Sequence, residues 1–255
     1  MNAIATLTLL KKEVKRWRKV WLQTVLAPVI TALLYLAVFG HVLEGRVEVF
    51  PGISYGAFLI PGLLMMSVIQ NAFANTSSSL IQSKVMGSIV FVLLPPFSAF
   101  EMFLAYIGAA ILRGMAVGVG VFLVALFYVK VPPVHDIFLI IGFAVLGSYV
   151  MGALGLIAGM WAEKFDQIAA FQSFLIMPLT FLSGVFYSIN SLPPFWASVS
   201  YLNPFFYMID GFRYGFFGQS DQPVMISFFV MLSAAVVLTG FCVKLLATGY
   251  KLRDA

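Results

Sequence analysis

A chain of 255 residues that is 62% hydrophobic and only 10% charged, with 26 Phe, is excluded from the class of ordinary soluble domains and reads as an integral membrane protein. Its formal charge of +5 sits in clusters beside the apolar runs, which argues against a nucleic-acid partner and for membrane topology. A single Cys242 excludes an intramolecular disulfide and is expected to pack inside an apolar run.

From the N-terminus, Leu7, Leu10, Val14, Trp17 and Trp21 recur at steps of three and four while Lys and Arg fill the other face, so 4–19 is an expected amphipathic helix lying on the membrane. Crossing about 30 Å of hydrocarbon takes about 20 apolar residues, and six runs qualify: 21–40, 56–77, 102–128, 137–160, 168–187 and 224–246. The first is longer than a signal-peptide core and is taken as an uncleaved span. Lys11, Lys12, Lys15, Arg16, Arg18 and Lys19 precede it. With six spans Lys84, Lys164, Lys244, Lys251 and Arg253 fall on the same side, against Arg46, Lys130 and Arg213 on the other, so both termini are expected in the cytoplasm.

In the second span Ser67, Asn71, Asn75 and Ser78 share one helix face. That face either makes interhelical hydrogen bonds or lines a substrate path, and the residues alone leave both open. The loop SSSLIQSKVMGSIVFVLLPPFSAFE is long enough for a short helix or a pair of them, ended by Pro95 and Pro96. Arg113 lies near the formal centre of the third span, where an ionisable residue is a functional candidate unless it snorkels to the interface. Gly114 with Gly118, and Gly155 with Gly159, have the spacing that lets helices approach closely. From Pro178 to Gly218 the chain is apolar yet broken by Pro178, Pro193, Pro194, Pro204 and several glycines. Irregular backbone at membrane depth must be covered by protein or water. The fifth span is therefore expected to stop near Tyr187, with short re-entrant helices over 188–218.

Chemistry for catalysis is missing. There is no GxxxxGK[ST] phosphate loop, no HExxH pattern around His41 or His135 and no cysteine cluster, and Glu44 and Glu48 read as solvated loop charges; no catalytic or metal-binding residue is assigned. Asp210 and Arg213, one helical turn apart, are expected to form a local ion pair.

The run PLTFLSGVFYSINSLPPFW followed by LNPFFYMIDGFRYGFFG, together with IPGLLMMSVIQNAFAN in the second span, resembles the ABC-2 type transporter permeases, and the resemblance covers essentially the whole chain. It implies one type V exporter-like transmembrane domain over 1–255, all α-helical, acting as a homodimer at the bacterial inner membrane. A separate ATP-binding subunit would hold ATP and Mg²⁺, leaving this chain without a cofactor or enzymatic activity of its own. The resemblance further implies a coupling helix within 78–96, with Gln82, Lys84, Val85, Met86, Ile89 and Phe91 as docking candidates. Here the chain departs from the family's charged pattern, since VMGSIVFVLLPP carries no charge and Lys84 stands alone beside it, so apolar docking is expected. Ser67, Asn71, Asn75 and Arg113 are the candidates for the translocation path, and Phe195, Trp196, Phe205, Phe206 and Tyr207 for an outer gate. Family members export polysaccharides, lipid-linked molecules and drugs, and the Phe-rich, charge-poor spans lean toward an amphipathic or hydrophobic cargo. The alternative is an ATP-independent secondary transporter or channel, but no internal repeat is seen and, Arg113 apart, no mid-membrane ionisable residue suits ion coupling.

Overall fold

The structure is a computed structural model that describes residues 3–43, 49–94, 96, 98–129 and 133–252. The expectations placed on Glu44, Arg46, Glu48, Pro95, Lys130 and Arg253 lie outside the described residues.

Among the described residues the fold is all-α, the sole β feature being a bridge between Phe50 and Ile53. Helix α1 (Ala3–Arg18) leads into α2 (Trp21–Leu43), and α3 (Tyr55–Val85) is followed by a short α4 (Val90–Leu93). Then come α5 (Ala99–Ala125), α6 (Ile137–Trp161) and the helical run 165–181, designated α7. Helices α8 (Pro194–Tyr201), α9 (Pro204–Phe217) and α10 (Val224–Thr248) complete the chain. Five of these, α2, α3, α5, α6 and α10, are long and apolar enough to cross a membrane.

Local chemistry sets the helix limits. Ser54 accepts from the Ala57 amide at 3.3 Å to open α3, Ser98 and Glu101 form a reciprocal capping box on α5, and Asp136 accepts from the amides of Phe138 and Leu139 at 2.8 and 3.2 Å to open α6. Pro194 and Pro204 stand in the first turns of α8 and α9, where a missing amide costs nothing, so the prolines start helices here instead of breaking one.

Two boundaries differ from expectation. The α3 helix extends to Val85, well beyond residue 77, because the Ser and Thr hydroxyls of its last turns are absorbed: Ser77 Oγ donates to Phe73 O at 2.9 Å and Thr76 Oγ1 to Gly152 O of α6 at 2.7 Å. Conversely α7 stops at Phe181, short of Tyr187, and contains a π-helical turn over Gln172–Ile176. Thr180 Oγ1 turns back to Ile176 O, Ser183 Oγ to Thr180 O, and Gly184 takes a left-handed conformation at φ 77°, which reverses the chain.

The α3 helix is the central post. A Cβ on Gly155 of α6 would lie 2.3 Å from Phe73 O, and one on Gly118 of α5 would lie 2.7 Å from a Val68 methyl, so both glycine pairs bring their helices onto α3 within one chain. The buried core around α3, α6 and α9 includes Phe58, Met65, Ile69, Phe205 and Met208. A second cluster, with Leu9, Leu80, Ile89, Phe103, Met160 and Leu246, joins α1 to the far ends of α3, α5, α6 and α10. Cys242 is fully buried in it, its thiol donating to Ala153 O at 3.4 Å.

Candidate functional site

Three groups of residues were expected to carry function, and the fold separates them. At the end of α3 no continuous helix covers 82–94. A turn with Gly87 at φ 65° follows Val85, and α4 adds one turn before Leu94. Lys84, expected on a docking surface, is buried, and its ammonium donates to Met160 O at 2.9 Å and Ala162 O at 2.5 Å. The reason is electrostatic: the last carbonyls of α6 have no helical partners and attract a cation. Ile89 is likewise turned into the core, and Gln82 is half-buried. What remains outside is an apolar ledge of Val85, Met86, Val90, Phe91 and Leu94, with Met86, Phe91 and Leu94 exposed at 69%, 75% and 71%. Beside it Lys251 reaches Glu163 at 2.6 Å. That hydrogen bond and charge hold the Glu163 carboxyl below its usual range and raise Lys251.

The polar stripe of α3 faces α1 and α5. Arg16 of α1 donates to Asn75 O at 2.7 Å, to Asn75 Oδ1 at 3.1 Å and to Ser78 Oγ at 3.2 Å, while its Nε meets Glu13 at 3.1 Å. Arg113 donates to Asn71 Oδ1 at 3.2 Å, Asn71 to Ser67 O at 3.1 Å, and Ser67 to Leu63 O at 2.8 Å. In this conformation the stripe is therefore a hydrogen-bonded seam between helices. Ser67 and Asn71 of the stripe border a cavity of about 180 Å³ between α2 and α3, near Thr31 and Gln70. Glu13 and Arg16 were missed as site residues because they looked like part of a solvated basic face. The available signal was one acid among many cations, three residues before an arginine. Accordingly the face of α1 turned to the bundle centres on Leu9, Glu13 and Arg16, while Leu7 of the expected apolar stripe is 51% exposed.

In the segment between α7 and α10, Asp210 and Arg213 do not form the expected ion pair. The Asp210 carboxylate accepts from the amides of Asp221 at 2.8 Å and Gln222 at 3.1 Å, whereas Arg213 donates to Gly184 O at 2.7 Å and lies 4.0 Å over the Phe58 ring. Backbone groups left unpaired by the reversals at Gly184 and after Gly218 claim both side chains. Asp221, which sequence reasoning passed over, accepts from the Ile189 amide at 3.0 Å, from Asn190 Nδ2 at 3.1 Å and from Ser188 Oγ. The proposed aromatic plug is also divided. Phe205 and Phe206 are core residues exposed by 1% or less, while Phe195 and Trp196 are 69% and 47% exposed; Tyr207 bonds to Tyr201 O at 2.8 Å. Helix periodicity separates them, because Asn203 caps α9, donates to Leu179 O at 2.6 Å and so turns Phe205 and Phe206 inward. No cluster of His, Cys, Asp and Glu suited to a metal ion occurs among the described residues.

The family model for the ABC-2 type transporter matches residues 4–217. The chain is 39% identical over 251 residues to the inner membrane transport permease YadH of Escherichia coli, covering 98% of each protein. It is 24% identical over 228 residues to nodulation protein J of Rhizobium leguminosarum, covering 87% of this chain and 85% of that one. Against the capsule polysaccharide export inner-membrane protein BexB of Haemophilus influenzae the figures are 31% over 111 residues, 42% of this chain and 40% of that one. An all-α membrane fold with long apolar helices, a family match across most of its length and a full-length permease relative place this chain in the ABC-2 transporter membrane family, as a transport permease subunit.

Proposed function

We propose that this chain is the membrane half of an ATP-driven exporter, acting as a homodimer in the bacterial inner membrane with both termini in the cytoplasm and docking a separate subunit that binds ATP and Mg²⁺. The observation that carries this reading is the apolar ledge at Met86, Phe91 and Leu94, held from beneath by Ile89 and by the Lys84 contacts to α6. Exposed apolar side chains on a braced turn suit docking to a protein groove. Closure of a docked ATPase would then bear on α3 and α6 together, shifting the balance between two arrangements of the bundle. The name of the capsule polysaccharide export relative favours a glycan cargo, and the apolar character of the spans an amphipathic or hydrophobic one.

The test is co-expression with a candidate ATP-binding subunit, purification through a tag on this chain and measurement of vanadate-sensitive ATP hydrolysis. Hydrolysis that requires both proteins is the expected result. Solute movement by this chain alone in liposomes, with no ATPase associating, would replace the proposal with an ATP-independent transporter.

A further inference from the structure

Helix α1 has three faces, because successive residues of a helix point about 100° apart. Leu9, Glu13 and Arg16 enter the bundle, and Leu10, Val14 and Trp17 form a half-buried apolar flank. Lys11, Lys12, Lys15, Arg18 and Lys19 are all exposed on the remaining side. Glu13 is the only acid of this helix, and it is spent inwardly: its carboxylate meets Arg16 at 3.1 Å and Lys12 at 3.4 Å. Among the described residues no acidic side chain pairs with Lys11, Lys15, Arg18 or Lys19. Lys12 apart, the cationic face is thus left without a carboxylate partner among the described residues.

The junction with α2 sets the depth of this face. Lys19 and Val20 form a tight turn, Val20 N donating to Trp17 O at 3.1 Å, and α2 begins at once with Trp21 and Leu22 exposed by 58% and 54%. Those side chains begin the apolar surface of a membrane-crossing helix, so the cations of the preceding turns lie at headgroup level. We propose that this face of α1 binds the phosphate headgroups of anionic phospholipids, several cations acting on a small number of lipids. Charge complementarity selects the occupant: the ledge at Phe91 suits a protein groove, whereas an uncompensated cationic face at headgroup depth suits anionic lipid. Each cation near such a surface strengthens binding about fivefold at moderate ionic strength, and added salt weakens it.

To test this, the full-length chain is purified in neutral detergent, offered equal amounts of phosphatidylglycerol and phosphatidylcholine with matched acyl chains, and the retained lipid is read by native mass spectrometry. Phosphatidylglycerol is expected to be retained by at least about tenfold over phosphatidylcholine. The combined variant Lys11→Gln, Lys15→Gln, Arg18→Gln should bring the ratio close to one without changing elution volume, and Lys11→Arg, Lys15→Arg, Arg18→Lys should keep it. Equal retention by the unmodified chain overturns the proposal, as does a preference that survives in the Gln variant or is lost in the charge-keeping one. A Gln variant that keeps its lipid preference but no longer co-purifies with an ATP-binding subunit assigns the face to a protein partner and also overturns it.

Discussion

Arg213 is fully buried without a direct carboxylate contact, so its charge rests on the Gly184 carbonyl, the Phe58 ring and the more distant Asp210. A charged hydrogen bond contributes about 1.5–3 kcal/mol and a desolvated cation–π contact up to about 2. Arg213→Leu is therefore expected to lower stability by about 2–4 kcal/mol, read as a fall in the thermal midpoint in detergent. Glu13 presents the opposite case, an acid whose removal strands a cation. Glu13→Gln should cost about 2–4 kcal/mol, discounted from a fully buried pair because the Arg16 side chain is 24% exposed. Adding Arg16→Gln to that variant should recover part of the loss; strict additivity of the two substitutions would show that the pair is not coupled.

At the scale of elements, close helix approach and aromatic burial make matched comparisons possible. Gly155 and Gly142 share α6, but a Cβ at Gly155 meets Phe73 O at 2.3 Å and one at Gly142 meets nothing within 4 Å. Gly155→Ala should lower stability by about 1–3 kcal/mol through overpacking. Gly142→Ala should leave it unchanged or raise it by up to about 1 kcal/mol through helix propensity. Detergent unfolding of the two proteins side by side checks both. Helices α8 and α9 offer a similar contrast: Phe206→Ala should cost about 3–5 kcal/mol as a core truncation, while Phe195→Ala on α8 should stay within about 0.5 kcal/mol. Transport leak from the Phe206 variant would thus be interpretable only after its folded fraction has been measured.

At the scale of the whole molecule, the seam runs from the middle of α3 toward the end that carries the ledge. Phe91→Asp places a charge on an exposed position, so the chain's own thermal midpoint should hardly move. Co-purification of an ATP-binding subunit should fall at least about tenfold, since a buried interfacial charge without a partner costs more than about 1.4 kcal/mol. Unchanged co-purification would remove the ledge from the docking surface. Lys84 joins this ledge to the end of α6, and Glu163 with Lys251 ties the tail after α10 to the same place. Four helices thus meet at the place where the proposed ATP-binding partner would press.

Composition and run length alone fixed the class of this protein and five of the six expected long helices, the run over 168–187 being the exception, because the cost of exposing backbone polar groups to hydrocarbon leaves a chain of this polarity little other choice. The proline positions and the broken 178–218 segment were legible for the same reason. The partners of the polar groups were not. Sequence places Asp210 one turn from Arg213 and Lys84 beside a docking loop, yet a charged side chain goes to whichever unpaired group the assembled chain brings within reach. The carbonyls of Gly184, Met160 and Ala162 and the amides of Asp221 and Gln222 are distant in sequence, and only tertiary folding brings them to Arg213, Lys84 and Asp210. Glu13 shows the same division: its place on an amphipathic helix could be read from spacing, but its burial was decided by the packing of α1 onto α5.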